Sequence, residues 1–181
     1  MIFQSKNPVI LAGHGAVRGH ASKAIGKFAQ TMKISVINTM MAKGIVAYDN
    51  LYSMWTVGLP QEDYQNVVLK EADLVIAVGY DLVEFAPRKW NPDGNHKIIH
   101  VDTRGSHINK LYQPNVEVIG DISDSLERIL KRCGQTKESE RFREIKHMME
   151  AEYQSYKDDT SFPMKPQKIL YDIRQEMDRN D

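Results

Sequence analysis

The sequence predicts an α/β domain, doubly wound around a mainly parallel sheet with helices on both faces. Three observations lead there. Short, continuous apolar runs recur at 8–13, 72–79 and 97–102, as strands covered on both sides require. Helix-period segments separate them, and such alternation produces parallel sheets. The first run also ends in a glycine turn that opens directly into one of those helical segments.

The elements follow in order. Pro8-Val9-Ile10-Leu11-Ala12-Gly13 is a buried strand. From Arg18 to Met32, Ala21, Ala24, Ile25, Phe28 and Ala29 fall at helical spacing, predicting one helix. Ile34 to Thr39 is rich in β-branched residues and reads as the second strand, closing a βαβ unit whose crossover should be right-handed. Met40 to Pro60 reads as irregular, and Gln61 to Glu71 as a helix with Tyr64, Val67, Val68 and Ala72 on one side. Ala72 to Gly79 is the clearest strand, and Lys97 to Asp102 the next. A short helix is expected near Ser106 to Leu111, then a fifth strand from Val116 to Asp121. The following helix runs through Leu126, Ile129 and Leu130, with Ser123 or Asp124 as its cap and Gly134 as its end. Beyond it, Lys137 to Lys157 is a charged helix with a thin apolar stripe, 161–166 is a proline-bearing linker, and Gln167 to Met177 is a last amphipathic helix.

Composition narrows the functions. The 181 residues carry 24 basic and 24 acidic side chains, and the absence of a basic excess argues against a nucleic-acid partner. No apolar run approaches the roughly 20 residues that span a bilayer, and Ile2 to Lys6 lacks the apolar region of a leader peptide. The single cysteine, Cys133, fits a reducing cytoplasm and reads as an inert residue near a helix end.

Ligands of such sheets bind beyond the carboxyl ends of the strands, where the strand order reverses. Gly13, Thr39, Gly79, Asp102 and Asp121 all fall at that rim. Glycines at Gly13-His14-Gly15 can admit a phosphate to the backbone, or simply form a tight turn; Arg18 stands where a third fingerprint glycine would be. Asp102 and Asp121 can accept ribose hydroxyls or cap the turns that follow them. Of the six histidines only His14 lies at this turn, and none is paired at zinc-ligand spacing. Met40, Met41, Met54, Trp55 and Trp90 read as core or interface filler. There is no G-x-S-x-G elbow and no Walker A loop.

These pieces resemble the central domain of thiamine-diphosphate-dependent enzymes of the acetolactate synthase type, a Rossmann-like, DHS-like fold. The resemblance lies in Pro8-Val9-Ile10-Leu11-Ala12-Gly13-His14-Gly15, in 38–44, 71–79 and 97–102, and in Gln113-Pro114-Asn115 leading to Gly120-Asp121. It covers about Asn7 to Gly134, and Phe162 to Pro166 is similar to the lead-in to the family's diphosphate-binding domain. It implies three parts: a central domain at 1–134, a charged helical connector at 135–160, and at 161–181 a linker with the first helix of the next domain.

The resemblance further implies that thiamine diphosphate and Mg²⁺ are held elsewhere in the parent, by a pyrimidine-binding and a diphosphate-binding domain. The parent would be a homodimer or homotetramer that decarboxylates pyruvate and joins the fragment to a second 2-oxo acid. No catalytic residue is expected in this chain. Some relatives bind the ADP part of FAD on this domain, and by position the contacts would be Gly13, Gly15, Thr39, Gly79, Asp102 and Asp121. Where those relatives carry an arginine after the strand ending at Gly79, this chain has Tyr80-Asp81. That acidic neighbourhood disfavours a pyrophosphate. Glu84, Pro87 and Lys89-Trp90-Asn91 are more similar to catabolic, flavin-free acetolactate synthases. The alternative is a domain holding FAD, ADP or coenzyme A, as in pyruvate oxidase or oxalyl-CoA decarboxylase.

Overall fold

The computed structural model describes residues 1–58, 63–134 and 136–178. Six strands form one sheet: β1 (Pro8–Ala12), β2 (Ser35–Asn38), β3 (Ser53–Thr56), β4 (Leu74–Val78), β5 (Lys97–Asp102) and β6 (Val116–Ile119). Their order is β3-β2-β1-β4-β5-β6, and every neighbouring pair is parallel. The chain thus builds outward from β1 in one direction, then returns to build outward from β4 in the other. The strand order reverses between β1 and β4, the place where sheets of this kind take their ligands.

All five residues of β1 and of β4 are buried, as expected of central strands. Because side chains alternate, Ile10, Ala12, Ile76 and Val78 point to one face. There they join a core with Ile25, Phe28 and Met32 of α2 (Ser22–Met32) and Ile122 and Leu126 of α4 (Ile122–Arg132). The opposite face is closed by α3 (Tyr64–Glu71), whose Val68 and Leu69 are fully buried, and by the aromatic residues Trp90 and Tyr112. His96 fastens these together: its Nε2 meets the Leu69 carbonyl at 2.9 Å, and its ring lies 5.8 Å from that of Trp90.

The structure corrects several local expectations. The helix expected from Arg18 to Met32 is two helices, α1 (His14–Arg18) and α2. His20 takes a left-handed φ of 49°, and the Ala21 amide bonds back to the Ala16 carbonyl at 3.0 Å, a helix-ending pattern that periodicity does not reveal. The stretch expected to be irregular contains β3, so the strand at Val116 is the sixth. No helix forms at 106–111; an isolated bridge pairs Asn109 with Tyr112. α4 is capped by Asp121, whose side chain accepts from the Asp124 amide at 2.8 Å, rather than by Ser123 or Asp124. Its last cap is Cys133, one residue before Gly134. The expected start of α3 at Gln61 lies outside the described residues.

The chain divides into two compact units, Met1–Phe142 and Arg143–Asp181, with α5 (Glu140–Ser155) crossing the boundary. In the second unit, α6 (Pro166–Glu176) meets α5 through Tyr153 and Tyr171, whose rings are 5.0 Å apart. No helix among the described residues is long and apolar enough to cross a membrane.

Candidate functional site

The site is built where β1 and β4 end. The Gly13 amide donates to the Val78 carbonyl at 2.9 Å, and the Gly15 amide to the Gly79 carbonyl at 2.8 Å. The two turns therefore meet backbone to backbone. A Cβ on Gly13 would sit 2.5 Å from the Gly79 oxygen, and one on Gly15 2.8 Å from the Gly79 Cα. Gly79 has a φ of +57°, and its Cβ would fall 2.0 Å from the Ala16 nitrogen. Only glycine fits these three places, and each is required by the neighbouring turn.

Thr39, fully buried at the end of β2, is held beside the same seam by its amide bond to Ala12 at 2.9 Å. Its hydroxyl donates to the carboxylate of Glu84, which reaches back from the loop after β4. The same carboxylate accepts from the His14 amide, at 2.9 Å and 3.1 Å to its two oxygens. Amides in the first turn of a helix lack intrahelical partners, and Glu84 supplies one here.

Beside this clamp lies a cleft of about 280 Å³, lined by His14, Gly15, Arg18, Gly79, Tyr80, Asp81, His100, Asp102 and Arg104, among others. Its charge is mixed. Neither Arg18 nor Arg104 has a carboxylate partner among the described residues, and Nδ1 of His14 is buried without a hydrogen bond. Asp102 Oδ1 accepts from the Thr103 amide at 2.6 Å and its hydroxyl at 3.1 Å, so one oxygen braces the following turn.

The cleft floor is aromatic and fully hydrogen-bonded. His100 Nε2 donates to the Arg104 carbonyl at 3.1 Å, leaving Nδ1 to accept from the Tyr112 hydroxyl at 2.9 Å. Trp90 Nε1 donates to the Tyr80 hydroxyl at 3.2 Å, and that hydroxyl donates to the Phe85 carbonyl. Burial pushes both tyrosine hydroxyls well above their ordinary value, keeping them protonated donors.

Of the six residues expected as nucleotide contacts, the structure brings Gly13, Gly15 and Gly79 into mutual contact and ties Thr39 to them through Glu84. Asp102 lines the cleft, while Asp121 caps α4. The sequence singled out Tyr80 and Glu84 only as departures from the FAD-binding pattern, with no contact assigned to either, and did not single out Arg104. Glu84 lies 70 residues from His14 and 45 from Thr39, so no local pattern marks the contact. Met54 and Trp90 are core, whereas Met40 and Met41 are exposed. Among the described residues no group of three or more His, Cys, Asp or Glu side chains is arranged to hold a metal ion.

Strand order and glycine turns together define a doubly wound, Rossmann-like α/β domain. Its sequence matches the family model "Thiamine pyrophosphate enzyme, central domain" over residues 1–129, and the chain belongs to that family. It is 30% identical to the acetolactate synthase of Bacillus subtilis (strain 168) over 185 residues, covering 98% of this chain and 32% of the relative. It is 32% identical to the catabolic acetolactate synthase of Raoultella terrigena over 132 residues, covering 72% of this chain and 23% of the relative. A probable acetolactate synthase large subunit of Methanocaldococcus jannaschii is 28% identical over 186 residues, covering 100% of this chain and 31% of the relative. The chain therefore spans at most about a third of the length of these relatives.

Proposed function

We propose that this chain serves as the middle domain of a thiamine-diphosphate-dependent acetolactate synthase, acting as scaffold and subunit contact rather than as catalyst. The parent would decarboxylate pyruvate and add the resulting two-carbon unit to a second 2-oxo acid in the cytoplasm, as a homodimer or homotetramer. Thiamine diphosphate, anchored through Mg²⁺, supplies the carbanion chemistry when bound, and flanking pyrimidine- and diphosphate-binding domains would hold it. Residues 1–134 form the domain proper. Residues 135–160 act as a connector, and 161–181 lead into the diphosphate-binding domain.

The observation that carries this reading is the glycine seam. Gly13, Gly15 and Gly79 are the residues that would admit a phosphate, yet they are spent on closing β1 against β4. The turn joins two halves of a sheet, which is a scaffold's task. The test is acetolactate formation from pyruvate with thiamine diphosphate and Mg²⁺. The expected result is no product from this chain alone, and product from the longer polypeptide with no dependence on added FAD. Product from the isolated chain, or a strict flavin requirement in the longer one, would overturn the proposal.

A second reading, a domain holding FAD, ADP or coenzyme A, is favoured by one feature: the cleft beside Asp102 with its unpaired Arg18 and Arg104. A flavin absorbance band in the purified protein, or a thermal shift with coenzyme A, would select it.

A further inference from the structure

The dinucleotide that some members of this family carry does not fit the residues at the cleft, and the misfit is concentrated in one side chain. We infer that Glu84 is the specificity determinant of this cleft: a built-in anion that occupies the polar donors a diphosphate would need. The inference rests on the flavin-free reading above and names the residue responsible for it.

The donors come from separate elements. The His14 amide belongs to the turn after β1, and the Thr39 hydroxyl ends β2. Both aim at one point beside the seam of β1 and β4, and Glu84 fills that point from the loop after β4. A carboxylate matches a phosphate edge in kind, since it is acceptor-only, offers two oxygens and carries negative charge. The fit is close, for a Cβ on Gly13 would lie 3.2 Å from Glu84 Oε1, so the carboxylate rests flush on the turn.

Glu84 is also fixed from behind. Its amide donates to the Asp81 carbonyl at 3.2 Å, and the Tyr80 hydroxyl bonds the Phe85 carbonyl, tying both ends of the loop together. The loop is thus braced with the carboxylate already in place. An incoming diphosphate would have to displace it and then lie beside its charge, and like charges so placed are strongly unfavourable. The cleft that Glu84 lines also holds Arg18 and Arg104, without carboxylate partners among the described residues, and the buried, unpartnered Nδ1 of His14, set against Asp81 and Asp102. Of the groups lining this cleft, Glu84 is the one that holds both the His14 amide and the Thr39 hydroxyl, and that is what singles it out.

The test compares wild type with Glu84→Ala and Glu84→Gln by calorimetric titration with inorganic pyrophosphate, with ADP and with FAD, using circular dichroism to confirm folding. Glu84→Ala removes both charge and bulk, and its affinity for pyrophosphate and for ADP should rise at least about tenfold over wild type. Glu84→Gln keeps the bulk and should gain less; if the alanine variant does not fold, any gain in the glutamine variant still tests the charge. Folded variants that bind neither probe better than wild type would overturn the inference while leaving the scaffold reading intact. Wild-type protein that already binds FAD as tightly as the alanine variant would instead sink the flavin-free reading beneath it.

Discussion

Replacing Gly79 with alanine strikes the seam at its tightest point. The new methyl would lie 2.0 Å from the Ala16 nitrogen, 2.5 Å from the Gly15 carbonyl carbon and 2.9 Å from the Ala16 Cα. All three are backbone atoms, so no side chain can swing away. The left-handed φ of +57° adds about 1–2 kcal/mol for any residue with a Cβ. Overpacking against a well-filled site adds about 1–3 kcal/mol. The sum, about 2–5 kcal/mol, is a large fraction of the about 5–15 kcal/mol that holds a typical domain together. It corresponds to a fall in melting temperature of roughly 4–20 °C. Urea denaturation followed by tryptophan fluorescence measures the loss, with an unchanged slope showing that the unfolded reference is the same. Gly26→Ala is the matched control, because Gly26 lies inside α2 and its Cβ would meet nothing within 4 Å. That variant should gain about 0.5–1 kcal/mol from helix propensity. A Gly79→Ala protein within about 0.5 kcal/mol of wild type would refute the account of the seam.

Two further outcomes follow from caps and carboxylates. Asp121→Ala removes the acceptor for the Asp124 amide and should destabilise the first unit by about 1 kcal/mol, read as a lower melting temperature, whereas Asp121→Asn should restore most of it. Burial pushes the Asp73 carboxyl upward, but hydrogen bonds from the Ser5 hydroxyl and from the Lys6 and Asn7 amides (2.7 Å and 2.9 Å) outweigh it and hold the carboxyl below its ordinary value. A lowered folded value means stability that is fully present above the unfolded value of about 4 and is lost as pH falls through the folded one. Unfolding titrations between about pH 5 and 3 should therefore show a shallower acid loss for Asp73→Asn than for wild type, and parallel curves would argue against a stabilising role for these hydrogen bonds.

The sheet was legible because its inner strands announce themselves. Pro8–Ala12, Leu74–Val78 and most of Lys97–Asp102 are buried on both faces, so their apolar runs are unbroken. β3 was not, because Ser53–Thr56 is short, half-exposed at its end and interrupted by Trp55 at a φ of +61°. Helical spacing continued through Gly19 and His20 although the backbone there did not. Periodicity records which face a side chain presents; it is blind to a single left-handed residue between two helices. At the site, the glycines and Asp102 were visible as residue types at strand ends. Their partners were not, since Glu84 joins the turn only after the chain has passed through four strands. Asp121 carried two readings in the sequence, and the structure gives its side chain to the Asp124 amide.

The irregular edge of the sheet has a consequence for how the protein behaves in company. β3 is an outermost strand, and between Val36 and Asn38 of β2 it advances by one residue too many, from Ser53 to Thr56. The bulge, with Trp55 turned into the left-handed region, breaks the even ladder that another molecule's strand would need for pairing. At the far edge, β6 exposes Glu117, whose carboxyl is held low by the Ser106 amide at 2.7 Å and so stays charged near neutrality. An open parallel sheet is a template for fibre growth at both margins. Here one margin is kinked and the other carries the charged Glu117 between exposed Val116 and Ile119, and both features disfavour pairing with a strand of another molecule.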